Sequence, residues 1–167
     1  MILEDLSCPE IDGLREELIA LCAQAFAGEP WREPPARAVK VVDRFYESLD
    51  RPGFRLTVAR LDDGLAGFAY GYVDSFCASL DPSRSFGEAF ELVELAVSPL
   101  HQGRGIGRKL HDALLAQAPS PRMLLTHQAL DLRSLYARWG WRDLGDVVIP
   151  GSESTLALMM STGVSLR

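Results

Sequence analysis

With 167 residues, 47% of them hydrophobic and 24% charged, the chain is long enough to bury most of its apolar surface in one core, and this composition excludes a disordered or fibrous protein. A formal net charge of −6 disfavours nucleic acid, whose phosphates need a basic face, and tilts the expectation toward a cationic small substrate. No uncharged apolar run reaches the roughly 18 residues of a membrane span, and "MILEDLSCPE" lacks the basic and long apolar regions of a secretory leader, so no membrane partner and a cytoplasmic location are expected.

From residue 9, Ile11, Leu14, Leu18, Leu21 and Ala25 step by three and four, predicting a helix that starts at Ser7 or Cys8 before Pro9 and ends near Gly28. After "GEPWREPP", Val39, Val42, Tyr46 and Leu49 repeat that spacing, so a second helix runs to about Leu49, where "DRPG" stops it. No long strand precedes these two helices. The β-rich runs 54–61 and 65–73 flank "DDG", a hairpin signal because such turns need φ > 0. Residues 74–87 read as loop, and 89–97 as a central strand, apolar on both faces. A helix over about 105–118 and a strand over 122–126 complete a βαβ unit, whose two strands are expected to be parallel. A helix over 131–140, a strand near 141–149 and a last strand over 154–160 follow, with no repeat and no linker. The sum is one α/β (α+β) domain over 1–167: a mixed, mostly antiparallel sheet of about six or seven strands, flanked by about four helices.

The three cysteines (Cys8, Cys22, Cys77) include no CxxC pair, and His101, His111 and His127 have no HExxH spacing, so neither a disulfide framework nor a metal is expected. His101 and His111 read as surface residues. The densest chemistry lies in "AVSPLHQGRGIGRKLHDALL", 96–115, where Gly103, Gly105 and Gly107 fall between a strand and a helix. The spacing fails the GxGxxG dinucleotide fingerprint, and the acid expected about 20 residues further on is missing; no GxxxxGK[ST] is present either. What fits is a turn whose free N–H groups, at the positive end of a helix, cradle a diphosphate while the glycines let it approach the backbone. The alternative is a plain strand-to-helix turn.

Val97, Pro99, Gln102, Gly103, Gly105 and Gly107 form V-x-P-x-x-Q-G-x-G-x-G, which resembles the acyl-CoA-binding motif of the GNAT superfamily of N-acetyltransferases. "LYARWGWRDLG" (135–145) resembles that family's "LYxxxGF" segment, with Trp141 in place of Phe, and the element order is similar over nearly the whole chain. The resemblance implies a splayed parallel pair in the sheet that receives the pantetheine arm of acetyl-CoA. It places donor contacts on Leu95, Ala96 and Val97, pyrophosphate contacts on Gln102, Gly103, Arg104, Gly105, Ile106 and Gly107, and added charge on Arg104 or Arg108. It implies a leaving-group acid at Tyr136. Where the family often carries Asn, seven residues before that tyrosine, this chain has Ala129.

An amine with a pKa near 10.4 needs a base at neutral pH, and Glu91 and Glu94 stand in the central strand, where acids are costly unless paired or functional. Three positions apart, they face opposite ways on a regular strand, and both reach one site only if a bulge intervenes. Glu94 is favoured as the base. On the acceptor side the candidates are Glu29, Trp31, Tyr72 and His127, with Phe45 expected in the core. The expected activity is transfer of an acetyl group from acetyl-CoA to a primary amine of a small molecule or protein, by direct attack, since no cysteine sits in the motif. The rival is a non-catalytic acyl-CoA-binding module of the same fold, which both acids and Tyr136 disfavour; the identity of the acceptor and homodimerisation are left open.

Overall fold

The computed structural model describes residues 1–5, 11–81, 83 and 87–162. Its strands are β1 (Ile2–Asp5), β2 (Arg55–Leu61), β3 (Gly64–Asp74), β4 (Ala89–Val97), β5 (Arg122–Thr126), β6 (Arg142–Val148) and β7 (Thr155–Ser161). Its helices are α1 (Arg15–Ala25), α2 (Ala36–Glu47), a one-turn α3 (Phe76–Ser79), α4 (Ile106–Leu115) and α5 (Leu130–Arg138). The seven strands form one sheet in the order β1-β2-β3-β4-β5-β7-β6, in which only β4 and β5 are parallel. This is the mixed, mostly antiparallel sheet with one parallel pair that the sequence predicts, and the βαβ unit is β4-α4-β5.

Three differences matter. The short strand β1, antiparallel to β2, precedes the helices; its Ile2, Leu3, Glu4 and Asp5 run two apolar then two acidic and carry no period-two signal. α3 sits inside the expected loop 74–87. On α2 the buried residues are Ala38, Val42 and Phe45, while Val39 is 41% exposed, so the apolar face is turned one position from the one that counting large residues suggests. Phe45 is in the core as expected, edge-on to Tyr46, Phe54, Phe68 and Tyr70. The proposed helix start at Ser7 or Cys8 lies outside the described residues; a 3-10 turn at Asp12–Leu14 leads into α1.

Each face of the sheet has its own core. α1 and α2 bury Leu18, Leu21, Val42 and Phe45 against Val58, Phe68, Tyr70 and Tyr72. On the other face α4 and α5 bury Ile106, Leu110, Leu114 and Tyr136 against Phe90, Leu92, Leu124 and Met159. The two meet in the centre of the sheet, where two irregularities coincide. Tyr70 pairs with Glu94 but Gly71 pairs with Leu92, so Val93 is an extra residue on β4, a β-bulge. The pairing of β4 with β5 stops at Leu92↔Leu124, although β4 continues to Val97 and β5 to Thr126. The strands splay beyond the bulge, and a cavity opens there.

Gly71 supports the bulge by being small: a Cβ there would lie 2.3 Å from the Glu91 carbonyl oxygen and 2.8 Å from the Phe90 ring. Backbone cannot step aside as a flexible side chain can. Gly71→Ala should therefore cost about 2 kcal/mol or more, as overpacked sites do, read as a fall in the urea midpoint. A loss under about 0.5 kcal/mol, the range of ordinary surface changes, would show that the bulge yields freely.

Candidate active site

The bulge changes which way β4 points its acids. Glu91 pairs with Tyr72 and Glu94 with Tyr70, and two tyrosines two positions apart share a face. Both glutamates therefore face the α1–α2 side, and both line a cavity of about 720 Å³ at the splay. Glu91 and Glu94, Leu95, Tyr136, Trp31 and Tyr72 are brought together in its wall.

The two acids are treated differently. Glu91 is 5% exposed and accepts a hydrogen bond from the Cys77 N–H at 2.6 Å, at the start of α3. Burial pushes its carboxyl up, and the Cys77 N–H opposes that shift. Glu94 is half-buried, forms no ion pair among the described residues, and is pushed up from 4.5 to about 7 by burial, against the opposing pull of Arg44 and the Leu95 N–H. One acid is fixed by backbone, and the other is poised near neutrality.

Tyr136 reaches the same cavity from α5, on the opposite face. Its ring lies edge-on to Trp139 at 5.5 Å and to Trp141 at 6.2 Å, which fixes its direction. Burial, and secondarily the charge of Glu94, raises the phenol far above its ordinary value, so it keeps its proton. Cys22 and Cys77 are buried thiols pushed up by burial and by the nearby glutamates, hence poor nucleophiles.

The glycine turn stands at the C-terminal end of β4, beside the cavity wall formed by Leu95. Gly103 and Gly105 have φ of 75° and 77°, a left-handed backbone that favours glycine, and Gly105 caps α4. The first bond back into α4 is Lys109 N–H to Gly105 O at 3.1 Å, which leaves the N–H groups of Ile106, Gly107 and Arg108 without intrahelical partners. Gln102 ties the turn to the strand, donating from Nε2 to Val97 O at 3.1 Å. Ala96, Val97 and Ile106 are buried, and Arg104 is exposed. Arg108 is held by Asp112 at 2.7 Å and lies over the Trp139 ring at 5.7 Å. A backbone cradle backed by one oriented guanidinium, next to a strand whose second half is unpaired toward β5, fits a diphosphate with an extended arm.

Two acceptor-side expectations fall outside this cavity wall. Glu29 is exposed and pairs with Arg32. His127 packs edge-on against Trp31, with ring centroids 5.4 Å apart, while its Nδ1 accepts the Ala129 N–H at 3.0 Å. His127 thus takes up the N–H of Ala129 at the start of α5. The expectation that His111 is a surface residue is corrected: it is 4% exposed, accepts from Trp141 Nε1 at 2.8 Å, and contacts Asp112 at 2.8 Å. His101 is likewise half-buried, 3.1 Å from Asp63.

The residues that sequence reasoning missed are Arg37, Val41 and Arg44 of α2, together with Arg51 and Phe26. Their signal was present: Arg37, Val41 and Arg44 step by four and three beside the buried Ala38, Val42 and Phe45. Among the described residues no group of three metal-ligating side chains converges, and no helix is long and apolar enough to cross a membrane.

Residues 16–141 match the model of the acetyltransferase (GNAT) family. No curated relative matches the sequence. Among solved structures, the chain superposes on an aminoglycoside 6'-N-acetyltransferase complexed with coenzyme A, at 16% identity and a TM-score of 0.68, covering 100% of this chain and 99% of that one. A Corynebacterium glutamicum protein described as histone acetyltransferase HPA2 and related acetyltransferase gives 18% identity and a TM-score of 0.67 over 99% and 98% of the two chains. An acetyltransferase from Thermus thermophilus gives 18% and 0.63 over 97% of each.

Because Glu94 ionises at a higher pH in the folded chain than in the unfolded one, the native state holds its proton more tightly, and stability falls as pH rises from about 4.5 to about 7. Glu94→Gln cannot ionise. It should match the wild type near pH 4.5, gain on it through pH 7, and stay more stable by up to about 3 kcal/mol above that, read from urea unfolding at each pH. A difference that does not change with pH would mean that Glu94 is not strained when ionised.

Proposed function

The chain belongs to the acetyltransferase (GNAT) family, which uses acetyl-CoA, and from that premise we propose that it transfers the acetyl group to a primary amine that attacks the thioester directly. The observation that carries this reading is the meeting of Glu94 and Tyr136 in one cavity at the β4–β5 splay, each reaching it from a different face of the sheet.

Acetyl-CoA supplies an activated acetyl thioester. Leu95 to Val97 lie along the half of β4 that is unpaired toward β5 and would hold its arm, while the N–H groups of Gly103 to Gly107, with Arg104 and Arg108 nearby, would hold the pyrophosphate; the Gln102 N–H is already bonded to Ser98 O at 3.1 Å. Glu94 takes the proton of the incoming ammonium. A carboxylate at its ordinary value lies about 6 pH units below an amine, and at about 7 the gap falls to about 3, so burial of Glu94 makes it a better base. Glu91, bonded to Cys77 N–H, holds α3 against the cavity and contributes negative charge rather than a mobile proton. Tyr136 keeps its proton through the working range and gives it to the departing thiolate. The raised Cys22 and Cys77 thiols support direct attack over an acyl-enzyme route.

The value of kcat/KM for acetyl transfer should climb with pH through about 7 and then level. Glu94→Gln should remove that rise and lower the rate by about 10²–10⁴, and Tyr136→Phe should keep the rise while slowing transfer by about 10². Calorimetric CoA binding should survive both changes. A Glu94→Gln, Tyr136→Phe double variant working at the wild-type rate would overturn these roles, and failure of the wild type to bind CoA would overturn the donor site.

A further inference from the structure

The overall charge of −6 suggests a cationic acceptor, but the cavity wall carries both signs. Three arginines line it, Arg37, Arg44 and Arg51, with the carboxylates Glu33, Asp74, Glu91 and Glu94. Two of them are already matched: Arg37 to Glu33 at 3.8 Å and Arg51 to Asp74 at 3.2 Å. Glu91 is matched by the Cys77 N–H. That leaves one side chain of each sign. Arg44 is exposed within the cavity, stands next to the Tyr72 hydroxyl, and has no carboxylate within 4.0 Å among the described residues. Glu94 is equally without an arginine or lysine at that range.

Arg44 and Glu94 are close enough for each charge to favour the other, yet too far apart to form an ion pair. An anion lodged between the helix and the strand would meet the guanidinium and an ammonium would meet the carboxylate. Resting on the acetyltransferase reading above, we propose that the acceptor is a zwitterion of the amino-acid class: its amine goes to Glu94 and its carboxylate is held by Arg44, with the Tyr72 hydroxyl beside it. A guanidinium offers a carboxylate two parallel donors. Trp31 and Val41 in the same wall suit an apolar body between the two charged ends. A polycation is the poorer complement, because a second ammonium would find the other carboxylates of the wall already engaged: Glu33 by Arg37, Asp74 by Arg51 and Glu91 by the Cys77 N–H.

The test compares apolar amino acids with their own α-amides, and with spermidine and an aminoglycoside, by acetyl transfer and separately by calorimetry in the presence of CoA. The acids should be preferred over the amides by about 10- to 100-fold, the loss expected when a charged hydrogen bond is removed. Arg44→Gln should raise KM for the acids relative to the amides by a similar factor and so close the gap, while Arg44→Lys should keep part of it. The comparison of acid with amide inside one variant cancels any effect of Arg44 on the basicity of Glu94. Amides or polycations used as well as the acids would overturn the inference and leave acetyl transfer standing. Acids that bind in an Arg44-dependent way but are not acetylated would leave the inference standing and overturn the proposed activity. Absence of acid binding to the CoA-loaded protein would overturn the inference outright.

Discussion

The structure turns on one extra residue in the central strand. Val93 has no partner on β3, and that single surplus position reverses the alternation of β4. Without it Glu91 and Glu94 would point to opposite faces, and one acid would sit among Ile106, Leu110 and Leu124 on the α4 side, where an ionised carboxylate has no partner. With it, both acids face a single cavity, and the strand bends away from β5 just where hydrogen bonding stops. Gly71 is the counterpart of that bulge on β3, since only a residue without a side chain leaves room for the Glu91 carbonyl.

Burying two carboxylates side by side is costly, and the protein deals with each by a different means. Glu91 is bonded by a backbone N–H, which costs no side-chain freedom and fixes one oxygen. Glu94 has no such fixed partner among side chains, and burial outweighs the pull of Arg44, so its proton leaves near pH 7 rather than 4.5. Perturbation of this kind marks a functional position more often than a structural one when the group also lies in a cavity, as Glu94 does. Tyr136 is displaced in the opposite functional sense: it stays a donor throughout.

The glycine turn is held to this centre by a chain of contacts on the α4 side. Arg108 bonds Asp112, Asp112 contacts His111, and His111 accepts the Trp141 N–H. Because Trp141 can only donate, His111 Nε2 carries no hydrogen and its other nitrogen faces Asp112. Burial lowers the affinity of His111 for a second proton. Trp139 closes the arrangement, with His111, Tyr136 and Arg108 all against its ring. One cluster thus orients both the cation near the turn and the phenol in the cavity.

Local rules in the sequence were enough for the strands β2 to β7, the hairpin at "DDG", the βαβ order and the glycine turn: alternation, helical spacing, and the left-handed backbone that Gly103 and Gly105 adopt. The sequence also placed Glu94 and Tyr136 on the correct elements. It could not place them in one cavity, since the bulge at Val93 depends on how β4 packs against Gly71 and β5, a contact between residues far apart in the chain. The same holds for His111, which composition assigns to the surface and Trp141 draws inward, and for Arg44, whose meaning comes from facing Glu94 across the cavity. Local spacing decides which elements form; only the packed sheet decides which charges are left without a partner.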